Sequence, residues 1–183
     1  MRVAAVTFFL FLIALLGACN PAAAPVPVSS RPALSNDTPA KAPINEMTWT
    51  GSDGKQTSLA DLEGKVVILD FWATYCPPCI KEIPHLNTIH AKFDQAGVKI
   101  IGLNSGGPDD RPKIPRFLSK TPIDYDMAFP DDDLQSYIFK DDDRIPQTLV
   151  FDRGGRLVKR IVGFDDGVKR DLDDAVRSAM SAQ

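Results

Sequence analysis

Cysteine and histidine are scarce in this sequence, and positive charge is not in excess. Its 183 residues include three cysteines and two histidines, and 21 Lys and Arg against 24 Asp and Glu give a formal net charge of −3. Three cysteines are too few for two disulfide bonds, which excludes a scaffold held together by disulfides. The slight acidic excess leaves no basic footprint, so we expect no nucleic-acid partner. Apolar residues make up 44% of the chain, which is enough for one packed domain and excludes a wholly disordered protein.

Long apolar runs are also missing, apart from one at the start of the chain. Arg2 precedes an uncharged apolar run over residues 3–18, which is shorter than the roughly 20 residues that a membrane-spanning helix needs. This pattern predicts a signal peptide over residues 1–18. The Leu-Gly-Ala-Cys ending resembles a bacterial lipobox, in which the cysteine, here Cys19, becomes the lipidated N-terminus. Cleavage that leaves a free thiol is the alternative, but lipidation is favoured because it removes an odd thiol from an oxidising compartment.

Residues 19–43 have the composition of a spacer. This segment is rich in proline, alanine and serine and contains almost no large apolar side chain, so it cannot form a core. At about 3.1 Å per residue, an extended segment of this length would reach roughly 70 Å. We therefore expect a membrane-tethered monomer whose folded domain covers residues 44–183.

The folded domain has the pattern of an α/β fold. Val66–Phe71 and Val98–Leu103 are continuous apolar runs, typical of strands that are buried on both faces of a sheet. Apolar residues at helical spacing after Cys79 predict a helix between them, which gives a right-handed βαβ unit. Residues 148–152 and 156–162 flank a Gly-Gly turn and predict an antiparallel hairpin, followed by a C-terminal helix. The expected architecture is a mixed central sheet flanked by helices.

The two remaining cysteines stand at the predicted strand-to-helix junction, in Cys76-Pro77-Pro78-Cys79. Cysteines at this spacing can close and reopen a disulfide without moving the fold, which indicates a redox pair. The helix dipole favours a thiolate at Cys76, the species that attacks a disulfide, and Cys79 would then resolve the mixed disulfide. Pro77 and Pro78 have no N–H to donate to the Cys76 sulfur, so we expect only moderate acidification of that thiol.

A zinc or copper site is the alternative use of the same two cysteines. A tetrahedral site needs two further ligands, and His85 and His90 lie five positions apart on the predicted helix, on different faces. We therefore expect no bound metal and no cofactor other than the Cys76–Cys79 disulfide. A non-catalytic metal carrier stays open as a function.

Two motifs carry a resemblance to a known family. The stretch from Asp70 to Cys79 resembles the active-site segment of thioredoxin-fold proteins, and the stretch from Arg144 to Thr148 resembles their cis-proline loop. With the leader, the spacer and the irregular segment at 105–130, the chain most resembles the membrane-tethered TlpA/ResA-like thiol-disulfide oxidoreductases. The resemblance implies a thioredoxin-like fold with an N-terminal extension and a central insertion.

The resemblance also implies which residues contact client proteins. A cis bond before Pro146 would leave the N–H and C=O of Ile145 free to pair with a client strand. Trp72 and Tyr75 are expected to frame the cysteines as an apolar contact surface, with a core position as the alternative for Trp72. The expected substrate-binding residues are Trp72, Tyr75, Pro77, Pro78, Ile145 and Pro146.

Two acidic residues compete for the role of proton acceptor for Cys79. Asp70 matches the buried aspartate of thioredoxin, where TlpA/ResA-like proteins commonly have Asn, and Glu82 matches the glutamate of ResA-like proteins. A buried carboxyl has a raised pKa, so either residue could exchange a proton with Cys79 near neutral pH. Glu82 could equally be an ordinary solvated helix residue. Gly102 stands where the lysine partner of the thioredoxin aspartate would be, so that proton relay is incomplete here.

The sequence therefore predicts a lipid-anchored enzyme on a bacterial periplasm-facing membrane that reduces or exchanges disulfides in client proteins. The resemblance implies a membrane-bound thiol reductase as the electron donor. A disulfide-donating oxidase is the alternative direction, since redox poise is poorly encoded in a sequence. Cytochrome c biogenesis, copper-site assembly and general disulfide repair all stay open as client pathways.

Overall fold

The protein is represented by a computed structural model, which describes residue 44 and residues 46–182. The predicted signal peptide, Cys19 and the spacer at 19–43 lie outside the described residues. All described residues belong to one compact unit. No helix within residues 46–182 is long and apolar enough to cross a bilayer.

Residues 46–182 form seven strands and four α-helices, joined by turns and short 3₁₀ segments. In chain order these elements are β1 (Thr48–Gly51), β2 (Gln56–Ser58), β3 (Val66–Trp72), α1 (Pro77–Phe93), β4 (Val98–Asn104), α2 (Ile114–Leu118), β5 (Asp126–Pro130), α3 (Asp132–Phe139), β6 (Gln147–Phe151), β7 (Leu157–Val162) and α4 (Asp166–Ser181).

The strands form one mixed sheet in the order β2-β1-β5-β4-β3-β6-β7. Strand β4 runs parallel to its neighbours β3 and β5, and the other pairs are antiparallel. The predicted βαβ unit is β3–α1–β4, the predicted hairpin is β6–β7, and the mixed sheet flanked by helices is confirmed. The sequence patterns did not reveal that β5, from the irregular segment, lies between β1 and β4.

Strand β3 determines where the acidic residue of the site points. All of its residues are buried, because helices cover both faces of the sheet. Leu69 and Phe71 pack in the core cluster that includes residues of α3, whereas Val66 and Ile68 pack in the cluster that includes residues of α1 and α4. Side chains alternate between the two faces along a strand, so Asp70 points to the side of α1.

Helix α1 begins at Pro77, directly after Cys76. A proline suits the first helical position, because its missing N–H would have no helical partner there. The buried face of α1 is formed by Cys79, Glu82, Ile83, Leu86 and Ile89. Residues three and four positions apart share one face of a helix, so the fold buries Glu82 together with these apolar neighbours.

Candidate active site

Cys76 and Cys79 form a disulfide at the start of α1, with their Cα atoms 5.3 Å apart. Cys76 is the N-cap residue, and its sulfur accepts a hydrogen bond from the Cys79 N–H at 3.2 Å. Because Pro77 and Pro78 have no N–H, the Cys79 N–H is the first donor that the helix offers to this sulfur. Cys76 is 4% exposed and Cys79 is 1% exposed. Cys76 is thus the more exposed residue of the two, but it is more deeply buried than the sequence predicts for the exposed end of a helix.

The histidines of α1 pair with aspartates rather than with the cysteines. His85 Nε2 lies 3.0 Å from Asp173 Oδ1, and His90 Nδ1 lies 3.8 Å from Asp94 Oδ1. Within residues 46–182, no group of three or more His, Cys, Asp or Glu side chains is placed to hold a metal ion.

Asp110 holds the segment that precedes Cys76. Its Oδ2 accepts hydrogen bonds from the Thr74 N–H and from Asn104 Nδ2, both at 2.9 Å, and its Oδ1 accepts one from the Thr74 hydroxyl. Burial raises the pKa of Asp110, but these donors outweigh burial and the pKa is lowered. A Cβ on Gly106 would overlap the Asp110 side chain, so only glycine lets the carboxyl lie this close to the loop backbone.

The expected client-binding residues lie around the disulfide with different degrees of exposure. Tyr75 is 63% exposed, Pro77 is exposed, and Pro78 is half-buried. The Ile145–Pro146 peptide bond is cis, as the resemblance implies. Ile145 is half-buried and packs against the cluster that contains both cysteines.

The backbone of Ile145 is open to a partner. None of the hydrogen bonds between described residues uses its N–H or C=O, whereas the C=O of Pro146 accepts a bond from the Gly163 N–H at 2.8 Å. Ile145 and Tyr75 line a groove of about 590 Å³ whose far wall includes Gln135, Ser136 and Phe139 of α3. An extended client segment could therefore enter beside the disulfide.

Trp72 does not belong to this contact surface. It is fully buried, and its ring stacks on Phe117 with the ring centroids 5.1 Å apart. As the last residue of β3, Trp72 is covered by α2, which carries Phe117 and comes from the irregular segment. The expectation of a client contact is thus corrected to the alternative, a core residue beneath the cysteines.

Below the disulfide, two carboxyl side chains are buried, and neither forms an ion pair with a described residue. Asp70 is 1% exposed and Glu82 is 0% exposed. The Tyr125 hydroxyl donates a hydrogen bond to Asp70 Oδ2 at 3.3 Å, and the Thr148 hydroxyl donates one to Glu82 Oε1 at 2.7 Å. Asp70 Oδ1 and Glu82 Oε2 have no partner among the described residues. The reading of Glu82 as a solvated surface residue is therefore wrong, because the apolar face of α1 carries it into the core.

Both carboxyls hold their protons more tightly than usual. Burial raises the pKa of Asp70 to about 7, opposed in part by the Tyr125 hydrogen bond. Burial, and then the charge of Asp70, raises the pKa of Glu82 well above its usual range, opposed in part by the Thr148 hydrogen bond. Because two like charges in one buried site repel strongly, the carboxyls titrate as a pair. The pair therefore holds a proton at a higher pH than ordinary carboxyl groups do.

Sequence reasoning missed three residues of the site: Asp110, Tyr125 and Thr148. Thr148 lies opposite Asp70 in the β3–β6 register, so the predicted hairpin and strand together could have placed it. Asp110 follows a Gly-Gly-Pro loop at the end of β4, which is a weak signal by itself. Tyr125 comes from the irregular segment before β5, where the sequence offers no register.

Comparisons with known proteins agree with this geometry. The family model described as Redoxin matches residues 35–176. A thiol-disulfide oxidoreductase ResA of Bacillus cereus is 32% identical over 117 residues, which cover 62% of this chain and 64% of that protein. The ResA of Bacillus thuringiensis subsp. konkukian is 33% identical over 131 residues, which cover 70% of this chain and 71% of that protein. This chain thus spans less than two thirds of the length of the first of these relatives.

A solved structure has the same fold. The thiol:disulfide interchange protein of the thioredoxin family from Chlorobium tepidum TLS matches with a TM-score of 0.58 and 29% sequence identity, over 73% of this chain and 92% of that one. The similarity confirms the thioredoxin-like fold that the two sequence motifs imply.

Proposed function

This chain belongs to the Redoxin family, as a TlpA/ResA-like member of the thioredoxin superfamily, and we propose that it is a thiol-disulfide oxidoreductase that reduces or exchanges disulfides in client proteins. The observation that carries this proposal is the Cys76–Cys79 disulfide at the start of α1, with the buried Asp70 and Glu82 below it. A structural disulfide has no need of buried acids with raised pKa values, whereas a thiol that must lose its proton does.

The reaction begins with the reduced protein. The Cys76 thiolate attacks one sulfur of a client disulfide, which forms a mixed disulfide and releases the other client sulfur as a thiolate. Cys79 then attacks the Cys76 sulfur, which restores the Cys76–Cys79 disulfide and releases the second client sulfur. Two electrons pass to the client, whose two thiolates take up protons to become thiols.

The second step depends on deprotonation of Cys79, which is 1% exposed and has little access to water. Glu82 follows Cys79 by three positions and lies on the same buried face of α1. An ionised carboxyl of the Asp70–Glu82 pair takes the thiol proton as Cys79 attacks. The pair later returns the proton to solvent or to a leaving client thiolate.

Client binding uses backbone rather than side-chain recognition. The N–H and C=O of Ile145, which no described residue uses, can pair with an extended client segment, and the exposed Tyr75 can cover its apolar side chains. Backbone pairing provides affinity with little dependence on client sequence. This suits an enzyme that acts on several proteins.

The proposed cellular setting follows from the residues before the domain. The leader at 1–18 and the lipobox-like Cys19 support an extracytoplasmic protein anchored by lipid. A membrane-bound thiol reductase would restore the dithiol after each turnover. Labelled palmitate should enter the full chain in a bacterial host and should not enter Cys19→Ser. Equal labelling of both chains would contradict the anchor.

The direction of electron flow is tested by the reduction potential. The full chain is equilibrated with a glutathione or dithiothreitol series, and the oxidised fraction is read from alkylation of the peptide that contains Cys76 and Cys79. A value near that of thioredoxin, about −270 mV, supports the reductive direction. A value near −120 mV would identify a disulfide donor instead. If no disulfide forms, the redox proposal fails and metal carriage becomes the better explanation.

The roles of the two cysteines are tested by trapping. In Cys79→Ser, the mixed disulfide at Cys76 cannot be resolved, so a disulfide-containing client should accumulate as a covalent complex that dithiothreitol releases. Cys76→Ser is the matched control and should trap none. Trapping through Cys79 instead would reverse the assigned roles.

A further inference from the structure

The two buried carboxyls each receive a single hydrogen bond, from different sources. Thr148 on β6 donates to Glu82, and Tyr125 donates to Asp70. The remaining oxygen of each carboxyl has no partner among the described residues. Asp70 therefore depends on one hydroxyl for all the hydrogen bonding that it receives within the described part of the chain.

The position of Tyr125 is fixed by the absence of a side chain at Gly102. Gly102 lies next to Asp70 in the parallel β3–β4 register. A Cβ on Gly102 would lie 2.9 Å from Tyr125 Cε2 and 3.2 Å from Trp72 Nε1, so the tyrosine ring occupies the space above this glycine. On another side, the His90 ring lies 6.5 Å from the Tyr125 ring, centroid to centroid. The ring is enclosed, and its hydroxyl cannot turn away from Asp70 without moving the core.

From this geometry we propose that Tyr125 is a positioning residue that stabilises the Asp70 carboxylate and so sets the pH at which the buried acid pair can accept the proton of Cys79. The inference rests on the proposed function and identifies the residue that positions and stabilises its proton acceptor. A hydrogen bond to the charged form of an acid favours that form over the neutral one. Tyr125 itself keeps its proton, because burial and the nearby charges of Asp70 and Glu82 raise its pKa well above the usual range.

The other ionisable groups around Asp70 and Tyr125 cannot take over this role. Helix α1 contributes Glu82, Cys79 and His90, and the segment before β5 contributes Asp124. Glu82 is the other member of the pair, and Asp124 is an acid whose charge raises the pKa of Tyr125. Strand β4 presents Gly102, and strand β6 presents Thr148, which does not titrate. His90 faces the tyrosine ring and has its Nδ1 3.8 Å from Asp94.

The test is Tyr125→Phe in the full chain, which removes the hydroxyl and keeps the ring against Gly102. The titration of the Asp70 carboxyl carbon is followed by carbon-13 NMR in the oxidised protein, where no thiol titrates. The hydroxyl donates more strongly to the carboxylate than to the neutral acid, so its loss should raise the midpoint by about one pH unit. An unchanged midpoint in a folded variant would overturn the proposal.

Two further variants separate positioning from packing. Tyr137→Phe removes the hydroxyl of a 42% exposed tyrosine on α3 and should leave the Asp70 midpoint unchanged. In an Asp70→Asn background, Tyr125→Phe should leave the titration of Glu82 nearly unchanged, since the hydroxyl acts through Asp70. An equal upward shift of Glu82 in that background would mean that Tyr125 acts through the packing of the core, which contradicts the proposal.

The consequence for turnover is measured separately. In Tyr125→Phe, the pH midpoint of client disulfide reduction should rise with the Asp70 midpoint, while the rate well above both midpoints should match that of the unmodified protein. If the unmodified protein reduces no disulfide, the proposed function fails, yet the NMR titration still decides whether Tyr125 controls Asp70. If turnover is normal and the midpoint does not move, only the role of Tyr125 fails.

Discussion

Asp70 and Asp110 have the same solvent exposure, but their pKa values are shifted in opposite directions. Each is 1% exposed, and both lie close to the disulfide, Asp70 in β3 and Asp110 in the loop after β4. Burial raises the pKa of Asp70 to about 7, whereas the pKa of Asp110 is lowered. Equal loss of solvent exposure therefore goes with pKa shifts of opposite direction in these two residues.

Depth of burial and the number of hydrogen-bond donors together account for the difference between the two pKa shifts. Asp110 accepts bonds from the Thr74 N–H, the Thr74 hydroxyl and Asn104, and it lies in a loop near the surface. Asp70 accepts one bond, from Tyr125, and a second carboxyl lies close by on Glu82. Donors replace the water that a carboxylate loses on burial, and a second acid makes the loss worse. The hydrogen bonds to Asp110 hold its loop in place. Asp70 and Glu82 instead keep a proton at a pH at which ordinary carboxyl groups have lost theirs.

The largest effect on the free energy of unfolding is expected from Asp70→Asn at alkaline pH. The folded-state pKa of Asp70 lies above its unfolded value near 3.8, so the folded chain binds more protons and its stability falls as the pH rises through about 7. Asparagine has an uncharged amide, so the variant does not lose this stability as the pH rises. The variant should match the unmodified protein near pH 4 and exceed it at pH 8 by up to about 4 kcal/mol, at about 1.4 kcal/mol for each unit of pKa shift. Urea unfolding of the oxidised full chain at both pH values measures this.

Glu82→Gln is the matched control for that change. It should also stabilise the oxidised protein at pH 8, because it too removes one member of the pair and leaves the other without a like-charged neighbour. A lower stability of Asp70→Asn at pH 8 would show that burial of this carboxylate is compensated by contacts other than the Tyr125 hydrogen bond.

The same substitution at Asp110 should instead lower the free energy of unfolding. Asp110→Asn loses the charge that three donors share, and hydrogen bonds to charged groups contribute about 1.5–3 kcal/mol each. Because the amide keeps one acceptor, we expect a loss of about 2 kcal/mol at pH 7. The pKa of Asp110 is lowered, so this contribution is present above the unfolded pKa and disappears as the pH falls through the folded pKa. Urea unfolding at pH 7 and pH 3 tests it, and a loss that persists at pH 3 would contradict the charge-based explanation.

The contrast between the two aspartates also explains what the sequence could predict. Val66–Phe71, Val98–Leu103 and the helix after Cys79 are local patterns, and the structure contains each element within a residue or two. Cys76, Cys79 and the cis bond at Pro146 come from motifs, and the structure brings Ile145 and both cysteines into one cluster. Asp70 was recognisable because a charge in an otherwise apolar strand stands out.

The hydrogen-bonded pairings that set the pKa of each aspartate were not recognisable in the sequence. Tyr125 reaches Asp70 across 55 positions and Asp110 reaches Thr74 across 36, and both come from the irregular segment at 105–130. Such contacts depend on how that segment packs over the sheet, which no local pattern encodes. Trp72 was misplaced for the same reason, since the helix that covers it, α2, is also part of this segment.

The smallest effect on the free energy of unfolding is expected from Thr148→Val, which removes the single hydrogen-bond donor of the buried Glu82. Valine keeps the shape and the strand preference of threonine, so the change isolates the 2.7 Å hydrogen bond to Glu82. A bond of this kind contributes about 1 kcal/mol, and we expect a loss of that size in urea unfolding at pH 7. In a Glu82→Met background the acceptor is absent, so Thr148→Val should have no cost there and should even stabilise slightly, because it removes an unpaired buried hydroxyl. An equal loss in both backgrounds would mean that Thr148 acts through packing, and that one donor does little for a carboxyl so deeply buried.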